Sequence, residues 1–319
     1  MIILSVTVPL SAAGTTPVDQ KGYLRVVGNQ LCNQQGQPIQ LRGMSSHGLQ
    51  WYFAAKFVNQ DCLKYLRDNW HISVFRLAMY TREGGYIDNP AVADKVKTGV
   101  DAAIKLGIYV IIDWHILSDK NPMVYQAQAI GFFKQMATLY GKYPNILYEI
   151  CNEPNGEDSW AIRIKPYAET VLPVIRAIDR KNIIIVGAPT WSQNVDVIAD
   201  SPLKGKNIMY TCHFYAGTHG QYLRDKITYA RKKGLAVFAT EWGTTNSSGN
   251  GPIYQTETQD WMKYLNSNKI SWCNWSLCDK NEGSAALMPG ADETGNWTDD
   301  DLSDSGKLVK SFLSESPAQ

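Results

Sequence analysis

The chain has 319 residues, 44% of them hydrophobic and 19% charged, with 31 Lys and Arg against 30 Asp and Glu for a net charge of +1. This is the make-up of a folded globular chain of one large domain or two ordinary ones. It supplies neither a basic stripe for nucleic acid nor an acidic tail.

The chain opens on "MIILSVTVPLSAAG", an apolar run ending in small residues. It is shorter than the ~20 apolar residues that span a bilayer. It resembles the later part of a secretory signal, with Ser11 and Ala13 suited to cleavage, although the basic leading segment is missing. Residues 1–19 are therefore expected to be a leader remnant, and the protein to be exported. Next, "YLRVVGNQLCNQQGQPIQLRG" reads as two short strands flanking the turn-rich "NQQGQ". Such a hairpin would plug the base of whatever follows.

Eight strand candidates come next: residues 41–48, 72–80, 107–115, 145–153, 182–189, 208–215, 235–243 and 270–277. Most are continuous apolar runs, as expected of strands buried on both faces. Helical periodicity falls between them, at 59–70, 94–107, 168–179 and 219–234. The last of these closes on a cationic turn and Gly234. Strand starts recur every ~25–40 residues, and eight such units close into a (β/α)₈ TIM barrel. An open doubly wound sheet would want a Gly-rich phosphate turn after an early strand, and "RGMSSHG" is not one. No linker is evident, so residues 20–319 read as one domain, expected to be a monomer.

The six cysteines, at 32, 62, 151, 212, 273 and 278, include no Cys-x-x-Cys pair, so a zinc site is not expected. Cys151 and Cys212 lie in strand-like runs and read as buried thiols or a buried bridge. Cys32 and Cys62 read as nearer the surface and able to pair.

A barrel of this type builds its site at the C-terminal ends of its strands. Those ends carry His47, Arg76, Tyr80, Asp113, His115, Asn152, Glu153, Trp191, His213, Tyr215, Glu241 and Trp275. Each alone says little, but so many polar ends together are hard to explain as packing. Glu153 and Glu241 end the fourth and seventh candidates, which lie across a barrel from each other. Two carboxylates flanking one bond can hydrolyse an acetal, one protonated and one ionised. Arg76 suits the ionised partner, Tyr215 can donate to it, and Asn152 suits a sugar 2-hydroxyl. Glu149, four residues inside its strand, suits a buried ion pair. The competing structural reading pairs the two glutamates with Arg42 and Arg76.

Trp51, Trp191 and Trp275, at the strand mouths, suit stacking on flat sugar faces, with Lys280 and Glu282 reaching hydroxyls. Trp70, Trp160, Trp261 and Trp272 read as core. A non-catalytic sugar-binding barrel would not need both glutamates. A phosphate-binding barrel would want a lysine inside a strand.

"RGMSSHGLQW", "FRLAMY", "DWH", "YEICNEPNG", "HFYA", "ATEWG" and "NWSLCDKNEGSAAL" resemble the signatures of glycoside hydrolase family five, in its branch of bacterial-type endo-β-1,4-glucanases. The resemblance runs from about residue 22 to 315. It implies a retaining double displacement with Glu153 as acid/base and Glu241 as nucleophile. It places Arg76, His115, Asn152, His213, Tyr215 and Trp275 around the cleaved bond. His47, Trp51, Tyr80, Trp191, Lys280 and Glu282 would line the sugar cleft. It implies no metal and no organic cofactor, a β-1,4-glucan as the partner, and no nucleic acid or membrane partner. The alternative is the same machinery on mannan, xylan, xyloglucan or mixed-linkage glucan. Cys151, Cys212, Cys273 and Cys278 depart from the pattern, sitting where other small or apolar residues would serve. With no binding module read in the sequence, soluble or amorphous chains are the expected form of substrate.

Overall fold

The computed structural model describes residues 16–156 and 159–315. Two short antiparallel strands, β1 (Arg25–Val27) and β2 (Gln30–Cys32), precede the main sheet. That sheet comprises β3 (Arg42–Ser46), β4 (Val74–Tyr80), β5 (Tyr109–His115), β6 (Ile146–Glu149), β7 (Ile183–Val186), β8 (Ile208–Thr211), β9 (Phe214–Tyr215), β10 (Val237–Gly243) and β11 (Trp272–Leu277). Neighbours pair in parallel, and the β10–β11 and β11–β3 pairings close the sheet on itself. The two-residue β9 continues the line of β8 and pairs with the far end of β10. Helices lie between the strands, so the architecture is the expected (β/α)₈ barrel.

Period-two alternation sorts the strand residues into two layers. Along β4, Phe75, Leu77 and Met79 pack outward against the helices, while Val74, Arg76, Ala78 and Tyr80 face the barrel axis. In β5, Val110, Ile112 and Trp114 face out, and Tyr109 and Ile111 face in. The lower interior is filled by Val74, Tyr109, Ile111, Leu147, Ile183, Ile185, Met209 and Phe238. Leu24 and Leu31, from either side of the hairpin, complete the same cluster. They close the barrel base as a plug. Apolar inward residues thus occupy the N-terminal half of each strand, and the polar ones are left for the mouth. Trp70, Trp160, Trp261 and Trp272 all lie in the outer core.

Local signals set the boundaries. The Asn59 side chain caps helix Gln60–Asn69 by accepting from Cys62 N–H, and Ser303 caps helix Asp304–Ser314 in the same way. Gly107, with φ of +67°, ends helix Val92–Leu106.

Three expectations change. The hairpin turns at Gly28–Asn29, with Gly28 at φ +59°. The "NQQGQ" stretch forms the next turn instead, organised by Asn33 Oδ1 and closed by a Cys32–Pro38 bridge. A two-residue loop with glycine first matches strand twist better than a five-residue one. Residues 16–19, expected to be leader, begin helix Pro17–Lys21, and Val18 N–H bonds Gly107 O at 2.9 Å. Residues 1–15 of that expectation lie outside the described residues. Finally, Cys32 and Cys62 do not pair: all six cysteines are buried, and none is in a disulfide. Cys62 faces the core from its helix, whereas Cys32 sits in the hairpin beneath the barrel.

Candidate active site

The two glutamates reach one cleft by different local devices. Glu153 lies four residues past the end of β6, on a loop begun when Asn152 N–H bonds Trp114 O, and Pro154 denies the chain a further ladder donor. Glu241 lies within β10, where strict alternation would turn it outward. Between Ala239 and Trp242 the strand carries one residue more than β11, a bulge. Thr240 and Glu241 therefore both project inward, while Trp242 returns to the outer core. One carboxylate oxygen of Glu153, one of Glu241 and one nitrogen of His213 all lie within 4.8 Å of one another.

Arg76 is fully buried beneath this pair. Its Nε donates to Glu149 Oε2 at 2.7 Å, and its Nη1 donates to Glu241 Oε2 at 3.0 Å and Ser45 Oγ at 3.3 Å. Its Nη2 donates to Asn152 Oδ1 at 2.5 Å and pairs with Asp113 Oδ2 at 3.0 Å. Five oxygen acceptors thus surround the five N–H groups of the guanidinium. Glu241 also accepts from the Tyr215 hydroxyl, through Oε1, at 2.9 Å. Burial opposes charge on Glu241, but His213, Arg76 and the Tyr215 hydroxyl outweigh it and hold its pKa below the ordinary glutamate value.

Glu153 has the opposite balance. Burial and the facing Glu241 charge raise its pKa, and His213 offsets this only in part. His213 Nδ1 meets Glu153 Oε1 at 2.9 Å, and its Nε2 meets Thr240 Oγ1 at 2.9 Å. Thr240 donates its one hydroxyl proton to Glu149 Oε1 at 2.6 Å, so the Nε2 of His213 is a donor. Burial works against an imidazolium here, but the Glu149 carboxylate, 3.8 Å from Nε2, and the bond to Glu153 prevail and push the His213 pKa up to about 9. His213 takes Oε1 of Glu153, and the side chain lines the cleft.

His115 is held differently. Its Nδ1 lies 2.7 Å from Asp113 Oδ2 and its Nε2 lies 3.2 Å from Asn152 Nδ2. Burial and the Arg76 charge press its pKa down to about 3, which makes it a neutral ring with Nδ1 as donor. Asn152 is fully buried, and its amide is engaged by Arg76, His115 and Ile116 O. Its Oδ1 accepts from Arg76 alone and keeps a second lone pair, and in this arrangement the amide orients its neighbours.

The cleft above has a volume of about 690 Å³. One wall is aromatic. Tyr80 stacks on His115 with centroids 4.1 Å apart, His115 stacks on Trp275 at 5.3 Å, and Trp51 meets Tyr80 edge-on at 5.0 Å. His47 sits 4.7 Å from Trp275, with its pKa pressed to about 3, chiefly by burial. Lys280 pairs with Glu282 beside it. Across the glutamates, Trp191 is 45% exposed. Thr190, Trp191 and Ser192 all adopt the left-handed region, with φ of +60°, +52° and +56°. Strain of this kind persists where neighbours over-determine it. Here Trp191 N–H bonds Pro154 O at 2.9 Å and Ser192 Oγ bonds Asn152 O at 2.6 Å, tying the segment to the loop that carries Glu153.

Most of the residues expected from the sequence converge on this place. Glu153, Glu241, His115, His213, Tyr215, His47, Trp51, Tyr80, Trp191, Trp275, Lys280 and Glu282 line the cleft, and Arg76 and Asn152 lie directly beneath it. Glu149 makes the buried ion pair expected of it. Arg42 takes no part: it bonds Phe312 O and Glu315 O at the base. Sequence reading did not single out Glu83, Leu117, Gln193, Thr218, His219, Tyr222 or Ser247–Gly249, which line the cleft, Tyr222 from the first turn of a helix and the others from the connections between elements. Their one signal was position, within a few residues after a strand end. Glu153, His213 and Glu241 also form the one group close enough to hold a metal ion among the described residues, but Arg76 already stands beside Glu241 as its counter-charge.

A closed parallel barrel with two carboxylates converging in an aromatic-walled mouth is the build of a glycoside hydrolase. Residues 32–281 match the family model for cellulase (glycosyl hydrolase family 5), and the chain belongs to that family. It is 61% identical over 293 residues to an endoglucanase of Clostridium saccharobutylicum, covering 92% of this chain and 65% of that protein. It is 53% identical over 308 residues to endoglucanase 5 of Pectobacterium carotovorum subsp. carotovorum, covering 97% and 61%. The chain thus spans somewhat under two thirds of these relatives' length. Among solved structures it resembles the catalytic domain of Thermobifida fusca endoglucanase Cel5A, at 38% identity and a TM-score of 0.90, covering 94% of this chain and all of that one. A variant of that domain has been solved in complex with cellotetraose.

Proposed function

We propose that this protein is an endo-acting β-1,4-glucanase that hydrolyses its substrate with net retention. The observation that carries the reading is the pair of glutamates in one cleft, with the proton favoured on Glu153 and the charge on Glu241. Their proximity suits the ~5–5.5 Å separation of retaining enzymes rather than the ~6.5–9.5 Å of inverting ones. In the first step Glu241 attacks the anomeric carbon, and the glycosidic C–O bond breaks. Glu153 gives its proton to the departing oxygen. A glycosyl ester on Glu241 results. In the second step a water molecule loses a proton to Glu153 and attacks the same carbon from the opposite face. The ester bond breaks, Glu241 is released as carboxylate, and two inversions give retention.

β-1,4-Glucan is the favoured substrate because the relatives are named endoglucanases and the Cel5A variant was solved with cellotetraose. The flat aromatic wall suits the ring faces of such a chain. A polymer of this kind is met outside the cell, which fits export. Among the described residues no helix is long and apolar enough to cross a membrane.

The test is hydrolysis of cello-oligosaccharides, carboxymethyl-cellulose, glucomannan and xylan, with anomer analysis. Glu241→Gln should lose more than ~10³-fold on every substrate. Glu153→Gln should lose roughly 10²–10⁴-fold on poor leaving groups and far less on the first step with good ones. Substantial activity in Glu241→Gln, or an inverted first product, would refute the mechanism. Preference for mannan or xylan would move the substrate without moving the chemistry.

A further inference from the structure

We propose that Tyr222 is a binding platform for a second sugar on the leaving side of the cleft, beyond Trp191. This rests on the assignment of Glu153 as the acid. The acid must stand beside the departing oxygen, so the wall tied to its loop is the wall along which the leaving chain runs. Trp191 is that wall, since its N–H bonds Pro154 O and its neighbour Ser192 bonds Asn152 O.

The cleft does not stop at Trp191. Its lining also includes His219 and Tyr222, the second residue of helix Gln221–Lys232. Tyr222 is 49% exposed, close to the exposure of Trp191, and no hydrogen bond from the described residues engages its hydroxyl. A large aromatic left half bare at the rim of a sugar cleft has its ring face available for stacking. Its neighbour is rigid. His219 Nδ1 accepts from Tyr215 N–H at 2.8 Å, and His219 O accepts from Trp261 Nε1 at 2.7 Å. The His219 and Tyr222 rings lie 6.5 Å apart. Tyr229, exposed on the same helix, has partners in Asp200 and Lys233 and lies outside the cleft.

The two aromatics form a path for the chain leaving the site. A substrate long enough to place two sugars past the cleaved bond would reach Tyr222. An aryl β-cellobioside would not, because its leaving group is a single ring.

The experiment compares Tyr222→Ala and Tyr222→Phe with the parent on cellohexaose and on p-nitrophenyl β-cellobioside. In Tyr222→Ala the ratio of kcat/KM for cellohexaose to that for the aryl glycoside should fall roughly three- to tenfold, and Tyr222→Phe should keep it. End-labelled cellopentaose reports the same event by position: the preferred cleavage point should shift by one bond in Tyr222→Ala alone. An unchanged ratio and cleavage pattern, or an equal loss on both substrates, would overturn the proposal. A parent protein that cleaves neither substrate would instead overturn the proposed function, so the two failures are distinguishable.

Discussion

The charge on His213 makes fold stability depend on alkaline pH in a calculable way. Its pKa is pushed up from 6.5 to about 9 by Glu149 and Glu153, against the cost of burial. Between those two values the folded protein keeps a proton that the unfolded chain has released. The resulting stabilisation is complete below pH 6.5 and is lost as pH rises through about 9. A tenfold gain in proton affinity is worth about 1.4 kcal/mol, so the rise to about 9 amounts to about 3 kcal/mol. The perturbation is His213→Asn, which retains an amide near Nδ1 to donate to Glu153 but cannot titrate. Urea unfolding under reducing conditions, at several values from about pH 6 to 10, measures stability in both proteins. Cys, Tyr and Lys titrations common to the two cancel in the difference. The parent's advantage should shrink by about 3 kcal/mol across this range. A difference that stays flat, or grows with pH, would show that His213 is neutral in the fold and refute the reasoning.

Arg76→Lys keeps the charge but offers three donors without a planar fork. It should lower kcat by at least ~10²-fold and move the acid limb of the pH profile upward, because Glu241 loses part of the influence that holds its pKa down. A pH–rate profile with an unmoved acid limb would count against it. Gly43→Ala tests the barrel itself: a Cβ there would stand 1.7 Å from Val74 O, against backbone that cannot give way. Unfolding midpoints should register a loss of roughly 1–3 kcal/mol or more, and a neutral result would mean that β3 and β4 are less closely packed.

The eight barrel strands were legible because burial on both faces writes long apolar runs, and the helices because each buries one stripe. "YEICNEPNG" and "ATEWG" were legible as site segments because a carboxylate following an apolar run has few structural uses. The way Glu241 gets inside was not legible. It depends on one extra residue in β10 against β11, and a bulge is a property of two strands' register, which neither strand states alone. The turn at Gly28–Asn29 was overlooked because "NQQGQ" carries stronger composition while the shorter loop has the better twist. Cys32 and Cys62 looked pairable because spacing does not reveal which layer a side chain enters. Tyr222 was hidden for a related reason: in the first turn of an amphipathic helix, periodicity reports only that a residue faces away from the core, not what it faces.

The location of the proton follows from how one cation is shared. Asp113, Glu149, Glu153 and Glu241 all crowd the barrel mouth, and they cannot all stay ionised out of water. Arg76 touches three of them, Asp113 at 3.0 Å, Glu149 at 2.7 Å and Glu241 at 3.0 Å, and its remaining donors go to Ser45 and Asn152. Nothing in the guanidinium is left for Glu153. That residue has His213, a donor shared with Glu149 through Thr240, and it faces the fixed negative charge of Glu241. Among the three glutamates, Glu153 is thus the one Arg76 does not touch, and burial with the Glu241 charge raises its pKa; burial likewise drives up the pKa of Asp113 despite its contact with Arg76. The asymmetry needed for hydrolysis is built into buried, rigid strand ends before any sugar arrives. On the proposed mechanism, a sugar filling the cleft would deepen the desolvation of Glu153 and so hold its proton more firmly until the leaving oxygen takes it.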